Sequence, residues 1–337
     1  MSAEDSARNG PGQRADPKVL EVRQLTTCFF TQDGVVNALD GLDLDVAAGE
    51  MVGIVGESGC GKSTAALSLM RLLPPQGKIM GGRIVLAGQD IVPLGEREMR
   101  RLRGPIVAMV FQDSLAALDP TMRVGPQLME PLQTHLNMPH REARRAAAHL
   151  MGKVGIPDPE RRMESYAHQF SGGMRQRVMI AIALACTPKL LIADEPTTAL
   201  DVTVQKQILE LMLLLRDETG AGVVLITHDV GVVAEVCDRV VVMYAGRVVE
   251  TGPTRSVFEH PRHPYTVGLL DSTLELDRSR RELLPTIGGL PPILIDLPPG
   301  CAFAPRCPRA GDQCRRVTPA LASVGASHEA ACWNPEA

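Results

Sequence analysis

The sequence predicts an α/β fold organised around a phosphate-binding loop, with a small antiparallel β unit before it and a helical insertion after it. Three observations carry this. Gly56-Glu57-Ser58-Gly59-Cys60-Gly61-Lys62-Ser63-Thr64 fits G-x-x-x-x-G-K-[ST], and it stands between an apolar strand, Met51 to Val55, and a helix reading from Lys62 to Leu73. Further short apolar runs, Ile106 to Phe111, Leu190 to Ala193 and Val223 to Ile226, read as strands buried on both faces, the pattern of parallel sheets. Amphipathic stretches such as Thr203 to Glu218, with Val204, Ile208, Leu211 and Leu215 on one face, supply the helices between them.

Taken in order, Met1 to Pro17 mixes charges with Gly and Pro and has no apolar centre, so it reads as a disordered tail rather than a signal peptide or anchor. Val19 to Thr27 reads as a strand. Phe29-Phe30 follows, then a turn at Gln32-Asp33-Gly34, and two more strands are expected over Val35 to Leu39 and Leu42 to Val46. An aromatic here can stack on an adenine; Phe29 is the candidate over Phe30, with an ordinary packed ring as the alternative.

The loop itself carries the chemistry. Its glycines let successive backbone N–H groups converge on phosphate oxygens, and the helix N-terminus adds partial positive charge. Lys62 would reach the β- and γ-phosphates and the Ser63 hydroxyl would sit on Mg²⁺. Pro74-Pro75 stops the helix, Ile84 to Ala87 is a short strand with a turn at Gly88-Gln89, and Gln112 ends the strand from Ile106. From about 113 to 170 the spacing is helical with Pro and Gly breaks, and includes a helix over Arg141 to Val154.

Ser171-Gly172-Gly173 precedes an apolar helix, Val178 to Cys186. Ser171 can cap it, and two glycines leave the first N–H groups open to an anion; a plain capped helix is the alternative reading. The strand from Leu190 runs into Asp194-Glu195, two carboxylates that are costly to place at a buried strand end without a role. Asp194 fits a Mg²⁺-linked carboxylate, and Glu195 can polarise a water. Thr198 to Asp201 is a loop. His228 ends the strand from Val223, on the same sheet edge as Glu195. A hairpin over Arg239 to Tyr244 and Arg247 to Thr251 is expected to close this domain.

The formal net charge of −4 argues against nucleic acid as a partner, so Arg100-Arg101-Leu102-Arg103 and Arg144-Arg145 read as solvated helix faces. No stretch approaches the roughly 18 apolar residues of a membrane span, so a soluble or peripheral protein of the cytosol is expected. Of the eight cysteines, Cys28, Cys60, Cys186 and Cys237 are scattered and read as reduced packing thiols, while Cys301, Cys307, Cys314 and Cys332 cluster near the C-terminus.

In motif order and spacing, Leu20 to Gly252 resembles the ATP-binding subunits of ABC transporters. The resemblance rests on the phosphate loop, Gln112, Ser171-Gly172-Gly173, Leu190 to Glu195, the Thr198 to Asp201 loop and His228. It implies a P-loop NTPase of ABC type: a RecA-like core, an antiparallel β subdomain and a helical subdomain. It implies that two such subunits sandwich two ATP molecules head to tail, with Ser171 to Gly173 contacting the γ-phosphate held on the partner's loop. By the same resemblance Gln112 binds Mg²⁺ or water and couples to membrane subunits near Ala116 to Val124. Glu195 looks like the general base, His228 like the γ-phosphate switch, Asp201 like the cross-dimer loop residue, and Phe29 like the adenine platform. Here the signature reads Phe170-Ser-Gly-Gly-Met174 where the family usually has Leu-Ser-Gly-Gly-Gln, so the last position lacks the amide side chain.

The C-terminal part narrows the resemblance. His260-Pro261-Arg262-His263-Pro264-Tyr265-Thr266, Gly300-Cys301-Ala302-Phe303, Arg306-Cys307-Pro308, Cys314 and Cys332-Trp333 are similar to the extension of oligopeptide and dipeptide importer ATPases of the D type, which pair with an F-type subunit. That implies an ATPase powering peptide import. Its partners would be a second ATPase, two transmembrane permeases and, indirectly, an extracytoplasmic peptide-binding protein. Importers of nickel, opines or glucosides are the alternatives within transport; a non-transport ABC ATPase is the alternative outside it, and this chain has neither a second phosphate loop nor a coiled-coil insertion. The domains expected are a tail over 1–17, a nucleotide-binding domain over 18–255 with its insertion at about 113–170, and an extension over 256–337. The C-x5-C-x6-C-x17-C spacing lacks the close pairs of zinc ribbons. Four thiolates can hold Zn²⁺ or a [4Fe–4S] cluster, or the cysteines can be plain thiols or disulfides; the resemblance points to [4Fe–4S], with His328 as a minor alternative ligand.

Overall fold

The strands that carry the site are apolar along their whole length because each is covered on both faces. In the computed structural model, which describes residues 18–272 and 287–336 apart from Ala199 and Asp296, β3 (Met51–Val55), β7 (Leu190–Asp194) and β8 (Gly222–Ile226) are buried at every position. Successive residues point to opposite sides. Met51, Val55, Leu191, Ala193, Val223 and Leu225 join one core, and Val52, Ile54, Leu190, Ile192, Val224 and Ile226 the other.

The chain begins with β1 (Lys18–Thr31) and β2 (Gly34–Ala47), antiparallel and joined at Gln32-Asp33, before β3, the loop and α1 (Lys62–Leu69). Next come β4 (Gly77–Leu86), β5 (Gln89–Asp90), α2 (Glu96–Leu102) and β6 (Val107–Val110). The helical insertion holds α3 (Ser114–Ala117), α4 (Val124–Leu136), α5 (His140–Lys153) and α6 (Pro159–Arg162). It leads into α7 (Gly172–Leu184), β7, α8 (Val202–Thr219), β8 and α9 (Val230–Val236). The hairpin β9 (Arg239–Tyr244) and β10 (Arg247–Pro253) is followed by α10 (Thr254–Glu259), α11 (Pro264–Asp271), α12 (Asp312–Arg316), β11 (Ala322–Gly325) and β12 (His328–Ala330). One sheet runs β2-β1-β4-β5 and is antiparallel; the other runs β11-β12-β10-β9-β3-β8-β7-β6, parallel from β9 to β6.

Several boundaries differ from expectation, each for a physical reason. The strands expected on either side of Asp40-Gly41 are one continuous β2: Gly41 adopts φ 73 and the pairing shifts register between Leu25 and Thr27, so the pair makes an irregularity rather than a turn. Helix α1 ends at Leu69 instead of Leu73. Arg71 turns left-handed at φ 52, and Arg103 donates to the Met70 and Arg71 carbonyls, capping the helix from outside. Arg103 therefore does not belong to a solvated face. Helix α7 begins at Gly172, earlier than its apolar run, because Ser171 caps it. The β9–β10 hairpin does not end the sheet: β10 pairs onward with β12 of the extension. The tail expected over 1–17 lies outside the described residues. Among the described residues no helix is long and apolar enough to cross a membrane.

Candidate active site

The site forms where four neighbouring parallel strands, β3, β8, β7 and β6, deliver their C-terminal ends to one edge, the place open α/β sheets use for ligands. The phosphate loop leaves β3. Gly56 (φ 155) and Gly61 (φ 107) are there by necessity: a Cβ on them would stand 2.3 Å from the Met243 carbonyl oxygen and 2.4 Å from that of Ala38. Lys62 is buried, and its Nζ donates to the Gly56 and Glu57 carbonyls at 2.7 and 3.0 Å, which arches the loop over its own lysine. Cys60 is buried behind the loop, and burial pushes its thiol up.

The polar residues meet in two linked sets. The Ser63 hydroxyl donates to Asp194 Oδ1 at 3.2 Å, and burial raises the Asp194 carboxyl above its ordinary range. Glu195, one residue on, leaves the strand direction at φ 46 while its N–H still donates to Ile226. Its Oε2 accepts from Gln112 Nε2 at 2.8 Å and from the Thr198 hydroxyl at 2.9 Å, and its Oε1 lies 3.5 Å from His228 Nδ1. The side chain of Glu195 is 16% exposed and that of His228 64%. A half-enclosed carboxylate is thus aimed by an amide and a hydroxyl beside an accessible imidazole. Phe29, Gln112 and Glu195 line one groove with loop residues 58, 59 and 61–64. Phe30 instead lies on the outer side, its ring beneath the Lys78 ammonium at 5.5 Å.

Ser171, Gly172, Gly173 and Asp201 do not line that groove. They form a second surface in which Ser171 Oγ accepts from Met174 N–H at 3.3 Å to cap α7, and Asp201 Oδ1 accepts from Val204 N–H at 3.0 Å to cap α8. The two caps are packed together: a Cβ on Gly173 would lie 2.6 Å from Val204 Cγ1. Met174 packs against the core, which gives the apolar residue at this position a structural use.

The extension holds residues that the motif reading passed over. Glu57 N–H donates to the Tyr265 hydroxyl at 2.7 Å, and the Glu57 carboxylate receives Arg306. Leu294 lines the same groove as Phe29 and Gln112, and its carbonyl accepts from Asn37 N–H. Tyr265 and Arg306 stand inside quoted motifs, but nothing in those motifs points to the loop. Cys301, Cys307, Cys314 and Cys332 line one pocket with Phe303 and Trp333. Burial pushes the Cys301 and Cys307 thiols up, and that of Cys332 up to about 11. Among the described residues no group of three or more His, Cys, Asp or Glu is arranged to hold a metal ion, and the four cysteines expected to ligate together are included in that. His328 is not placed to ligate there: it is buried, with Nε2 2.7 Å from Glu250 Oε1.

A phosphate loop with a carboxylate–amide–imidazole set on one sheet edge defines an ATP-binding cassette, and comparison with known proteins agrees. The ABC transporter family matches residues 39–198, and the family described as oligopeptide/dipeptide transporter, C-terminal region, matches residues 249–314. The chain is 51% identical to the dipeptide transport ATP-binding protein DppD of Bacillus subtilis, covering 94% of each chain. It is 49% identical to the oligopeptide transport ATP-binding protein OppD of Salmonella typhimurium, over 99% of this chain and 98% of that one. A dimeric ATP-binding cassette, MJ0796, solved in a post-hydrolysis state with ADP and Pi, matches 70% of this chain and 99% of its own at TM-score 0.64 and 28% identity. The chain belongs to the ABC transporter ATP-binding family, in the branch that carries the oligopeptide/dipeptide C-terminal region.

Proposed function

We propose that the chain binds and hydrolyses ATP to power import of peptides across a membrane, as the ATPase subunit of an ABC transporter. The observation that carries the chemistry is the convergence of Gln112, Thr198 and His228 on Glu195 beside the phosphate loop. What supports the peptide cargo is the naming of relatives about half identical over nearly the whole chain as peptide, dipeptide or oligopeptide transport ATP-binding proteins.

The residues take these roles. The loop's N–H groups and Lys62 hold the β- and γ-phosphates, and Phe29 carries the adenine. Ser63 and Asp194, 3.2 Å apart, and Gln112, which lines the same groove as Ser63, offer hard oxygen donors that would fit Mg²⁺. When bound, that ion neutralises phosphate charge. Glu195, oriented by Gln112 and Thr198, accepts the proton of the attacking water; His228, 64% exposed, reaches toward the γ-phosphate. Ser171 to Gly173 and Asp201, off the groove, serve the site of a second ATPase subunit, and two permeases and a peptide-binding protein complete the importer. The chain sits at the cytoplasmic side of the membrane as a peripheral subunit. The four cysteines would hold a [4Fe–4S] cluster; what supports this reading is that Cys301, Cys307, Cys314 and Cys332 line one pocket as soft donors.

The test of the catalytic reading is Glu195→Gln in the assembled transporter. The amide keeps the shape but cannot take a proton. ATP binding should stay within about twofold, while phosphate release falls by about 10²–10⁴. Turnover near wild type would remove Glu195 as the base.

A further inference from the structure

Glu57 is the first variable residue of the phosphate loop, and the extension grips it at both ends. Its backbone N–H donates to the Tyr265 hydroxyl at 2.7 Å, and its carboxylate accepts a two-pronged pair from Arg306, Nη1 to Oε2 at 2.6 Å and Nη2 to Oε1 at 2.9 Å. The guanidinium is fixed in turn. Its Nε donates to the Gly288 carbonyl at 2.9 Å and Nη2 to that of Ile287 at 3.2 Å. It lies 5.8 Å from the ring centre of Tyr244 and 6.0 Å from that of Phe303, and the side chain is only 5% exposed. Tyr244, Tyr265 and Phe303 form an aromatic cluster with centroids 4.6 to 5.4 Å apart, joining the end of β9, α11 and the cysteine-bearing segment. So a loop residue near position 57 is tied to residues 208 and 249 positions later.

Two physical consequences follow. A planar fork locked by carbonyls and rings holds a carboxylate in one geometry, so the loop backbone is ordered before any anion arrives. A bare carboxylate in an anion-binding loop would also repel phosphate, and the guanidinium cancels that charge at short range. We propose that the C-terminal extension is a clamp on the phosphate loop, with Arg306 as the positioning residue that holds Glu57 and neutralises it, so that nucleotide affinity depends on the extension.

The affinity part rests on the reading of the loop as an ATP site, so two readouts are needed. The probes are ATP with Mg²⁺, titrated calorimetrically, and hydrogen exchange of amides 56–61 in nucleotide-free full-length protein. Arg306→Gln should speed exchange in the loop several-fold and raise the ATP Kd about tenfold, a 1.4 kcal/mol loss. Glu57→Gln/Arg306→Gln should regain at least half of that loss, because the uncancelled charge is gone. Arg306→Lys, which keeps charge and most packing, should fall between and serves if the Gln variant folds poorly. A merely structural role would lower Tm while leaving Kd and loop exchange alone. Unchanged exchange and affinity in both Arg306 variants would overturn the clamp, as would a double variant no better than Arg306→Gln. Wild-type protein that fails to bind ATP while the Arg306 variants still loosen the loop would refute the ATP reading and sustain the clamp.

Discussion

Phe29 and Phe30 are neighbours in β1, so the pleat sends their rings to opposite faces. Phe29 lines the groove with Lys62 and Ser63, and a Cβ on Gly77 would sit 2.9 Å from its ring, so glycine there makes room for the aromatic. Phe30 is 43% exposed. Stacking of a base on an aromatic is worth about 1–3 kcal/mol, so Phe29→Ala should raise the ATP Kd about tenfold or more and leave inorganic triphosphate binding unchanged. Phe30→Ala should leave both unchanged, and a loss confined to the Phe30 variant would reassign the platform. At this scale the candidate site was legible wherever chemistry follows from local order: the loop, Asp194-Glu195 and His228 each sit at the end of an apolar strand. Glu57 with Arg306 was not, because no local pattern marks a contact between residues 249 positions apart.

Elements were legible where burial on both faces leaves a continuous apolar run, as in β3, β7 and β8, and misread where a single backbone angle decides, as at Gly41 and Arg71. The start of α7 shows how one cap can have two uses. Ser171 caps the helix, and in the proposed function the same turn faces a partner's γ-phosphate. The two uses can be separated, since Asp caps a helix about as well as Ser and complements its dipole. Ser171→Asp should therefore keep stability within about 0.5 kcal/mol by chemical denaturation. In the assembled transporter, with a second ATPase subunit present, its carboxylate would oppose the phosphate, and ATP turnover should fall about a hundredfold. Persistent turnover would return Ser171 to a plain cap.

At the scale of the whole molecule, the extension is built into the fold rather than hung from it. Strand β12 pairs with β10, and the fully buried carboxylate of Glu250 on β10 accepts from Arg262 N–H, His263 N–H and His328, all from the extension. Without those donors a carboxylate would be left unpaired in the core, a costly state. The segment from Gly300 to Trp333 has little apolar core of its own, being built of turns, a five-residue helix and two short strands, and small loop-rich units of this kind commonly need a staple. In the proposed function the four thiols of that pocket would become thiolate ligands once a cluster supplied positive charge. Protein purified without oxygen should therefore be brown and carry about four iron and four sulfide per chain. Cys307→Ser should lose most of the iron, and because Arg306 is its neighbour, it should also weaken ATP binding in the manner of the Arg306 variants. A colourless, iron-free protein from anaerobic cells would sink the cluster and leave the clamp to stand on Arg306 and Tyr265 alone.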